Sequence, residues 1–593
     1  MSLSNIATKL DERLETLRKK KGFYFVFFPL LFIFLYALYF IFCFSPKSYY
    51  EVYQDSSISL AKDYLGFGSY AQMIVYFVLL ILFWVFLLLY QHLLKKNGRL
   101  TNEKLSIIFV ILSSSLVVSY VFTLKANAQI GHTDWCMWDY YTDNDNSYRP
   151  GHWHVILDIF RTGKLPDPPV INGEWYYNNQ YYQNKLYHLL SAYFMRFNSL
   201  FINVGGANTV DATLHSFVYT ETEDVLMETT RILCSFYGVS MMVMARHLFK
   251  KFNLKDARLS IATFLFVFTP MFIILAGSMN NDCLALLFAL WAVYFTIEYK
   301  EKKKWSSIIM IGVTLGLGMA TKFNVGVIAI YIAGVFLFMM IQLYQKKKEG
   351  IYGVYPHPYR TFWLQILVFA AIVFPLGLFF TVYNYVKYQI PFGFIMLNPV
   401  TSPVFVNQDF YNLFLRFFVF PAPDMFFSIF TCPYRYLDSG VLIDVWGHQD
   451  FNIWTGLFKT TIFGEANFYD YPDASRIPLL IFAYLLYAVA FILCISLIVY
   501  GIIYIVKAIR GKKKGVMNFN FASLICIAFF EIVSYMYFNY KYPFTCTMNS
   551  RYVVFLFIPL YAAMASMLRR GYVYLKLRLN RNKANKEGLK ENP

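Results

Sequence analysis

Charge is what this chain has least of. Only 15% of its 593 residues are Asp, Glu, Lys or Arg, against 58% hydrophobic and 20% aromatic, with a mean hydropathy of +0.45. A soluble fold of this length could not hide that much apolar surface, so the composition excludes one and predicts a polytopic membrane protein. Cysteine is also sparse. The eight cysteines show no C-x-x-C pair and no regular spacing, which argues against both a metal knuckle and a disulfide framework. On the topology derived below, Cys136, Cys432 and Cys546 face outward; one pair among them is allowed and none is selected. Internal repeats, low-complexity tracts and Gly/Ser linkers are missing as well. A secondary transporter or flippase is expected to show an internal repeat and paired broken helices, so their absence counts against that class. The outward segments contain no Asn-x-Ser/Thr acceptor, which disfavours an ER lumenal setting.

What the chain does have is apolar runs long enough to span a bilayer, each of roughly 20 residues. Twelve are expected: 23–44, 72–94, 106–124, 229–247, 258–276, 282–299, 305–321, 325–344, 361–383, 479–506, 519–539 and 552–568. The net charge of +18 sits in clusters between them: Arg18 to Lys21, Lys95, Lys96 and Arg99, Lys250 and Lys251, Lys300 with Lys302 to Lys304, Lys346 to Lys348, Lys512 to Lys514, and Arg569 and Arg570 with the tail beyond. With twelve spans every cluster falls on one side. That pattern puts both termini in the cytoplasm and explains the charge as topology signal and attraction to anionic lipid, not nucleic-acid binding. The first apolar run, behind a basic amphipathic start, is expected to be a retained signal anchor. The chain divides into a cytoplasmic start with two additional spans (1–105), a membrane core with a first outward loop (106–383, loop 125–228), a second outward loop (384–478), the last spans (479–568) and a basic cytoplasmic tail (569–593).

The short cytoplasmic connectors leave any chemistry to the outside. There the stretch Gly131–Phe197 stands out, acidic at its start and rich in aromatics. His154 to Arg161 places Val155, Ile156, Ile159 and Phe160 on one helical face opposite Asp158 and Arg161, with Gly163 and Pro166 ending it. Such a helix beside spans is expected to lie flat on the membrane. A second helix is expected from Lys185 to Phe197. Between them YYNNQYY (176–182) is a polar-aromatic loop of the kind that suits sugar faces, with Tyr182 as a substrate-binding candidate. His152 and His154, with flanking acids, have a spacing that metals use, but a surface-helix start accounts for them more simply.

Several segments in order resemble the GT-C glycosyltransferases that use polyprenyl-phosphate sugars, the protein O-mannosyltransferase and lipid A aminoarabinose transferase branch (family 39). The counterparts are the acidic run before His152, GKLPD (163–167), NKLYHLLSA (184–192), TRILCSFYGVSMMVMARHLF (230–249), SMNNDCLALLFALWAVYF (278–295), GVTLGLGMATKFN (312–324) and NSRYVVFLFIPL (549–560). The resemblance covers roughly 125–345 and 540–565. It implies an all-α, GT-C-like bundle of about twelve membrane helices with two large extracytoplasmic loops carrying surface helices. It also implies an enzyme that moves a sugar from a polyprenyl-phosphate donor to a lipid, glycan or protein acceptor of the cell envelope, without a metal or other cofactor. The chain departs from the pattern where an acid is expected next to His152, reading Arg149–Pro150–Gly151–His152, and where Asn184–Lys185 replaces a proline pair.

Such a transfer passes through an oxocarbenium-like transition state and releases a phosphate. An inverting enzyme needs one carboxylate as base and cations on the departing phosphate. The candidates for the base are Asp145, then Asp143, Asp134 and Asp139; each alone also reads as a turn or cap residue. For the phosphate the candidates are Arg551, which meets the outer surface at the last span, with Lys185, Lys322 and Arg231. His152, Asp282 and Glu465 complete the substrate-side candidates, although Asp282 with Asn280 and Asn281 also reads as an ordinary helix cap. Glu531 is an ionisable group inside a span, a position that defaults to function. A polysaccharide polymerase or ligase with a diphosphate-linked donor shares this topology and is the alternative to a monophosphate donor.

Overall fold

The computed structural model describes residues 3–20, 22–44, 67–123, 152–168, 170–171, 174–175, 180–202, 209–210, 219–348, 358–392, 413–419, 452–463, 473–509, 519–543 and 545–588. Asp134, Asp139, Asp143, Asp145 and Glu465, together with Cys136 and Cys432, lie outside them.

Among the described residues ten helical segments are long and apolar enough to cross a membrane. In chain order the helices are α1 (Leu3–Lys19), α2 (Phe23–Phe42), α3 (Tyr70–Lys96), α4 (Asn102–Thr123), α5 (His152–Thr162), α6 (Leu186–Ser199), α7 (Glu221–Thr229) and α8 (Arg231–Lys251). They continue with α9 (Ala257–Val267), α10 (Pro270–Gly277), α11 (Asp282–Lys302), α12 (Trp305–Thr321), α13 (Gly326–Lys348) and α14 (Pro358–Tyr388). The rest are α15 (Leu413–Phe418), α16 (Ile453–Phe463), α17 (Asp473–Ile509), α18 (Phe519–Lys541) and α19 (Phe557–Gly588), with two antiparallel two-residue strand pairs between α5 and α7.

The expected run 258–276 is a bent pair, α9 and α10, turning by 45°. The cause is Pro270, which opens α10: it offers no N–H to the preceding turn, and it forces Thr269 into extended backbone (ψ 119°). The expected run 305–321 is α12, 17 residues long. The last helix runs on past the expected span, through Gly588.

Two ends of the bundle have different chemistry. At one end Glu103, at the start of α4, takes Arg18 (3.1 Å), Lys250 (2.7 Å) and Arg246 (3.6 Å), and Lys251 pairs with Glu301 (2.5 Å). Asp11 of α1 takes Arg99 (3.2 Å) and Lys104 (2.7 Å) close by. Basic residues of three of the sequence clusters, Arg18, Arg99 and Lys250 with Lys251, thus gather at one end. At the other end lie Arg231, Asp282, Lys322 and the helices of the first loop.

The core sits around α8 and α11, which are buried along most of their length. α12 packs on α14 through small residues. A β-carbon on Gly316 would lie 2.7 Å from Leu376 Cβ, so only glycine lets the two helices approach this closely. α5 differs from expectation. Trp153, Val155, Ile156, Leu157 and Ile159 are all buried, and the helix packs against α6. Its apolar face is protein core, not a membrane-lying surface. α6 instead exposes Leu190, Tyr193 and Phe197, followed by Leu200 and Phe201. α5 ends at Gly163, in the left-handed region (φ +70°), whose N–H bonds to the Ile159 carbonyl at 2.8 Å. Any side chain there would meet the Arg196 guanidinium at 2.7 Å, and Arg196 in turn donates to the Phe160 carbonyl at 2.8 Å.

Candidate functional site

The site is built where α11 begins, α12 ends and α19 is entered. The cap of α11 comes from Asn280, whose Oδ1 accepts from the Asp282 N–H at 2.8 Å. Its Nδ2 donates to the Leu275 carbonyl at 3.1 Å, holding the cap against α10. Asp282 is therefore released from capping. Its Oδ1 instead accepts from the Lys322 ammonium in an ion pair whose side chains are 2% and 14% exposed. Lys322 stands in the short break between α12 and α13, in extended backbone (φ −151°, ψ 122°), where the chain ends one helix and turns into the next.

The same ammonium lies 5.0 Å from the centre of the Tyr552 ring. Arg551 lies 4.9 Å from that ring as well, and its Nη2 donates to the Tyr552 hydroxyl at 2.9 Å. Both are within cation–π range. The Arg551 backbone is fixed by Asn549, whose Oδ1 accepts from its N–H at 3.0 Å, and Ser550 N–H donates to Thr460 of α16 at 2.9 Å. The helix of the second loop thus braces the entry to α19: Ile453, Tyr535, Met548 and Val553 share one small core there.

The first loop is tied to this place by its polar turn. Gln183 Oε1 accepts from Asn281 Nδ2 at 2.9 Å, and Asn184 Nδ2 donates to the Met319 carbonyl of α12. Lys185 does not reach out from this turn. It is buried, its ammonium donates to the carbonyls of Tyr181 and Gln183 (2.7 Å for the latter), and burial pulls its pKa well below the ordinary lysine value. Tyr182 is buried beside Tyr388, ring centres 6.1 Å apart, and its carbonyl accepts from Asn384 at 2.8 Å. Asp167 bonds Lys387 and Tyr388 on the same helix end; burial opposes its ionisation, yet those hydrogen bonds and the Lys387 charge hold its pKa below the usual value.

The other candidates are in the neighbourhood but serve the packing of α5 to α8. His152 Nδ1 and His188 Nε2 are 2.8 Å apart in a fully buried pair. Burial, with His152 and Lys185 nearby, drives the His188 pKa well below the ordinary histidine value. Asp158 bonds Tyr181, and burial raises its pKa. Arg161 forks onto Glu223 (2.6 and 2.8 Å). Arg231 pairs with Glu228 at 2.6 Å and donates to the Phe122 carbonyl at 3.1 Å, joining α4 to α8. Glu531 is buried in α18. Among the described residues no three His, Cys, Asp or Glu side chains group as a metal site.

Of the sequence candidates, then, Lys322, Asp282 and Arg551 converge, and Lys185 and Tyr182 frame them. Sequence reasoning missed Tyr552, Gln183 and Asn281. The signal for Tyr552 was present, since it follows Arg551 directly in NSRYVVFLFIPL.

A bundle of this kind with cations gathered at the helix ends of one side fits a membrane enzyme that handles an anionic lipid. Residues 166–390 match the family of dolichyl-phosphate-mannose-protein mannosyltransferases. The match covers less than half of the chain and holds Tyr182, Lys185, Arg231, Asp282 and Lys322; it agrees with the GT-C resemblance and indicates a membrane glycosyltransferase that uses a lipid-linked donor. No curated protein sequence matches the chain. Among solved structures, the apo crystal structure of ArnT from Cupriavidus metallidurans is similar at 11% identity, over 77% of this chain and 76% of that one. Its TM-score of 0.30 gives that likeness no weight here.

Proposed function

We propose that the chain transfers a sugar from a polyprenyl monophosphate to an acceptor of the cell envelope, on the extracytoplasmic side, with inversion at the anomeric carbon. The observation that carries this reading is the convergence of Lys322 and Arg551 on Tyr552 at the end of the bundle opposite the basic clusters. There the phosphate is held by an ammonium and a guanidinium, whose charge is felt most as the C1–O bond breaks and both bonding electrons leave with the phosphate. The acceptor hydroxyl oxygen forms the new bond to C1, and its proton passes to a carboxylate of the first loop, with Asp145 preferred over Asp143, Asp134 and Asp139. Arg231 holds the end of α4 through the Phe122 carbonyl, and Lys185 holds the turn at 181–183. Lipid, glycan and protein all remain acceptor classes for this reading.

Incubating the purified protein with labelled polyprenyl-phosphate sugars tests it. The expected result is transfer, or slow donor hydrolysis without acceptor, from monophosphate-linked and not diphosphate-linked sugars. Preference for a diphosphate donor would replace this reading with a polymerase or ligase, and sugar-lipid flux without bond cleavage would replace it with a flippase.

A further inference from the structure

Beside the cation pair, the start of α11 presents two hydrogen-bond acceptors that no described residue uses. Asn281 Nδ2 has two acceptors of its own, Gln183 Oε1 at 2.9 Å and the Thr321 carbonyl at 3.3 Å, which fixes the orientation of the amide. Its Oδ1 is turned away from both, buried, and has no hydrogen-bond partner among the described residues. Asp282 is in the same position. One carboxylate oxygen takes Lys322, while Oδ2 is buried with no hydrogen-bond partner among the described residues. The two residues are 1% and 3% exposed. Buried acceptors are nearly always satisfied in folded proteins, and an unsatisfied one inside a site points to a ligand that donates.

We infer that Asn281 Oδ1 and Asp282 Oδ2 are the sugar subsite, accepting hydrogen bonds from the hydroxyls of a neutral sugar and rejecting a uronic acid. This rests on the monophosphate-donor reading. Lys322 connects the two parts. It touches the Asp282 carboxylate and faces the Tyr552 ring shared with Arg551, so a phosphate seated on Lys322 puts the sugar it carries next to the other oxygen of that carboxylate. A sugar hydroxyl supplies the missing donor. A sugar carboxylate would face a buried carboxylate and an amide oxygen, and it brings no donor to offset that repulsion. Asp282 therefore has two partners on its two oxygens: one oxygen pairs with Lys322, the other reads the sugar.

The experiment compares three short-chain polyprenyl phosphates in equilibrium binding to the purified full chain: one carrying a neutral hexose, one carrying a uronic acid, and one carrying no sugar. For wild type the hexose lipid is expected to bind roughly 10-fold or more tighter than the sugar-free lipid, and the uronate lipid no tighter than the sugar-free one. In Asp282→Asn the hexose advantage is expected to fall to near one. The sugar-free lipid should bind as well as before or better, because Lys322 loses the carboxylate that competes with phosphate. A merely structural role would weaken all three together. Should Asp282→Asn fail to fold, the wild-type ranking decides. An unchanged hexose advantage in the variant, or a uronate lipid that binds as tightly as the hexose lipid, overturns the subsite. Wild type that binds no polyprenyl phosphate at all overturns the donor reading, and the subsite falls with it.

Discussion

Lys322 and Arg551 share one aromatic ring: the ammonium is 5.0 Å and the guanidinium 4.9 Å from the centre of Tyr552. The two cations come from distant parts of the sequence, one from the break after α12 and one from the entry to α19. Tyr552 sets their spacing, and its hydroxyl orients the guanidinium. A cation–π contact contributes about 0.5–2 kcal/mol, roughly a 2- to 30-fold effect on a rate. Tyr552→Ala should lower kcat/KM within that range, and Tyr552→Phe, which keeps the ring and loses the bond to Arg551, should lower it less. Steady-state kinetics on the two variants check this order.

Sidedness is the second prediction. The ion-pair network of Arg18, Glu103 and Lys250 marks one end of the bundle, and Lys322 with Arg551 the other. In a cysteine-free background, cysteine placed at the exposed Lys164 should react with a membrane-impermeant maleimide added to intact cells, and cysteine at the exposed Glu301 should react only after the membrane is opened. The reverse pattern would put the cation pair on the cytoplasmic side.

A third prediction concerns the approach of α12 and α14. Gly316→Val adds atoms where even a β-carbon would lie 2.7 Å from Leu376 Cβ. Overpacking of this kind costs about 1–3 kcal/mol. The variant should unfold at lower temperature, and Leu376→Ala in the same chain should restore part of the loss.

The buried His152–His188 pair predicts a pH dependence of stability. The folded state lowers the His188 pKa well below its unfolded value, mainly through burial. Below the unfolded value, about 6.5, the unfolded chain binds a proton that the folded chain refuses. Stability contributed by neutral His188 is therefore complete above that pH and is lost as pH falls through it. Thermal unfolding midpoints measured from pH 8 down to 5 should decline for wild type, and His188→Gln should flatten the decline.

The fold was largely legible because apolar length and basic connectors report directly on spans, and both are strong signals. The expected run 258–276 contained Pro270 in plain sight, but a proline says that a helix can break, not by how much it turns. The misreading of α5 has a clear reason. Its apolar face at Val155, Ile156 and Ile159 has the same periodicity whether bilayer or protein covers it, and here α6 covers it. At the site, Arg551 and Lys322 were legible as cations at span ends. Asp282 was harder. Adjacent Asn280, Asn281 and Asp282 read alike as caps, and only the fold shows that Asn280 caps while Asp282 turns to Lys322. That pairing joins residues forty positions apart and leaves no local pattern.

The most direct test of the account is the affinity of polyprenyl monophosphate for wild type and for folded Lys322→Ala, Arg551→Ala and the double variant in nanodiscs. Removing one charge-assisted contact from a phosphate site should weaken binding about 10-fold or more, with turnover falling by about 10²-fold, and the double variant should lose measurable binding. Folded variants that bind and turn over the lipid as wild type does would contradict it.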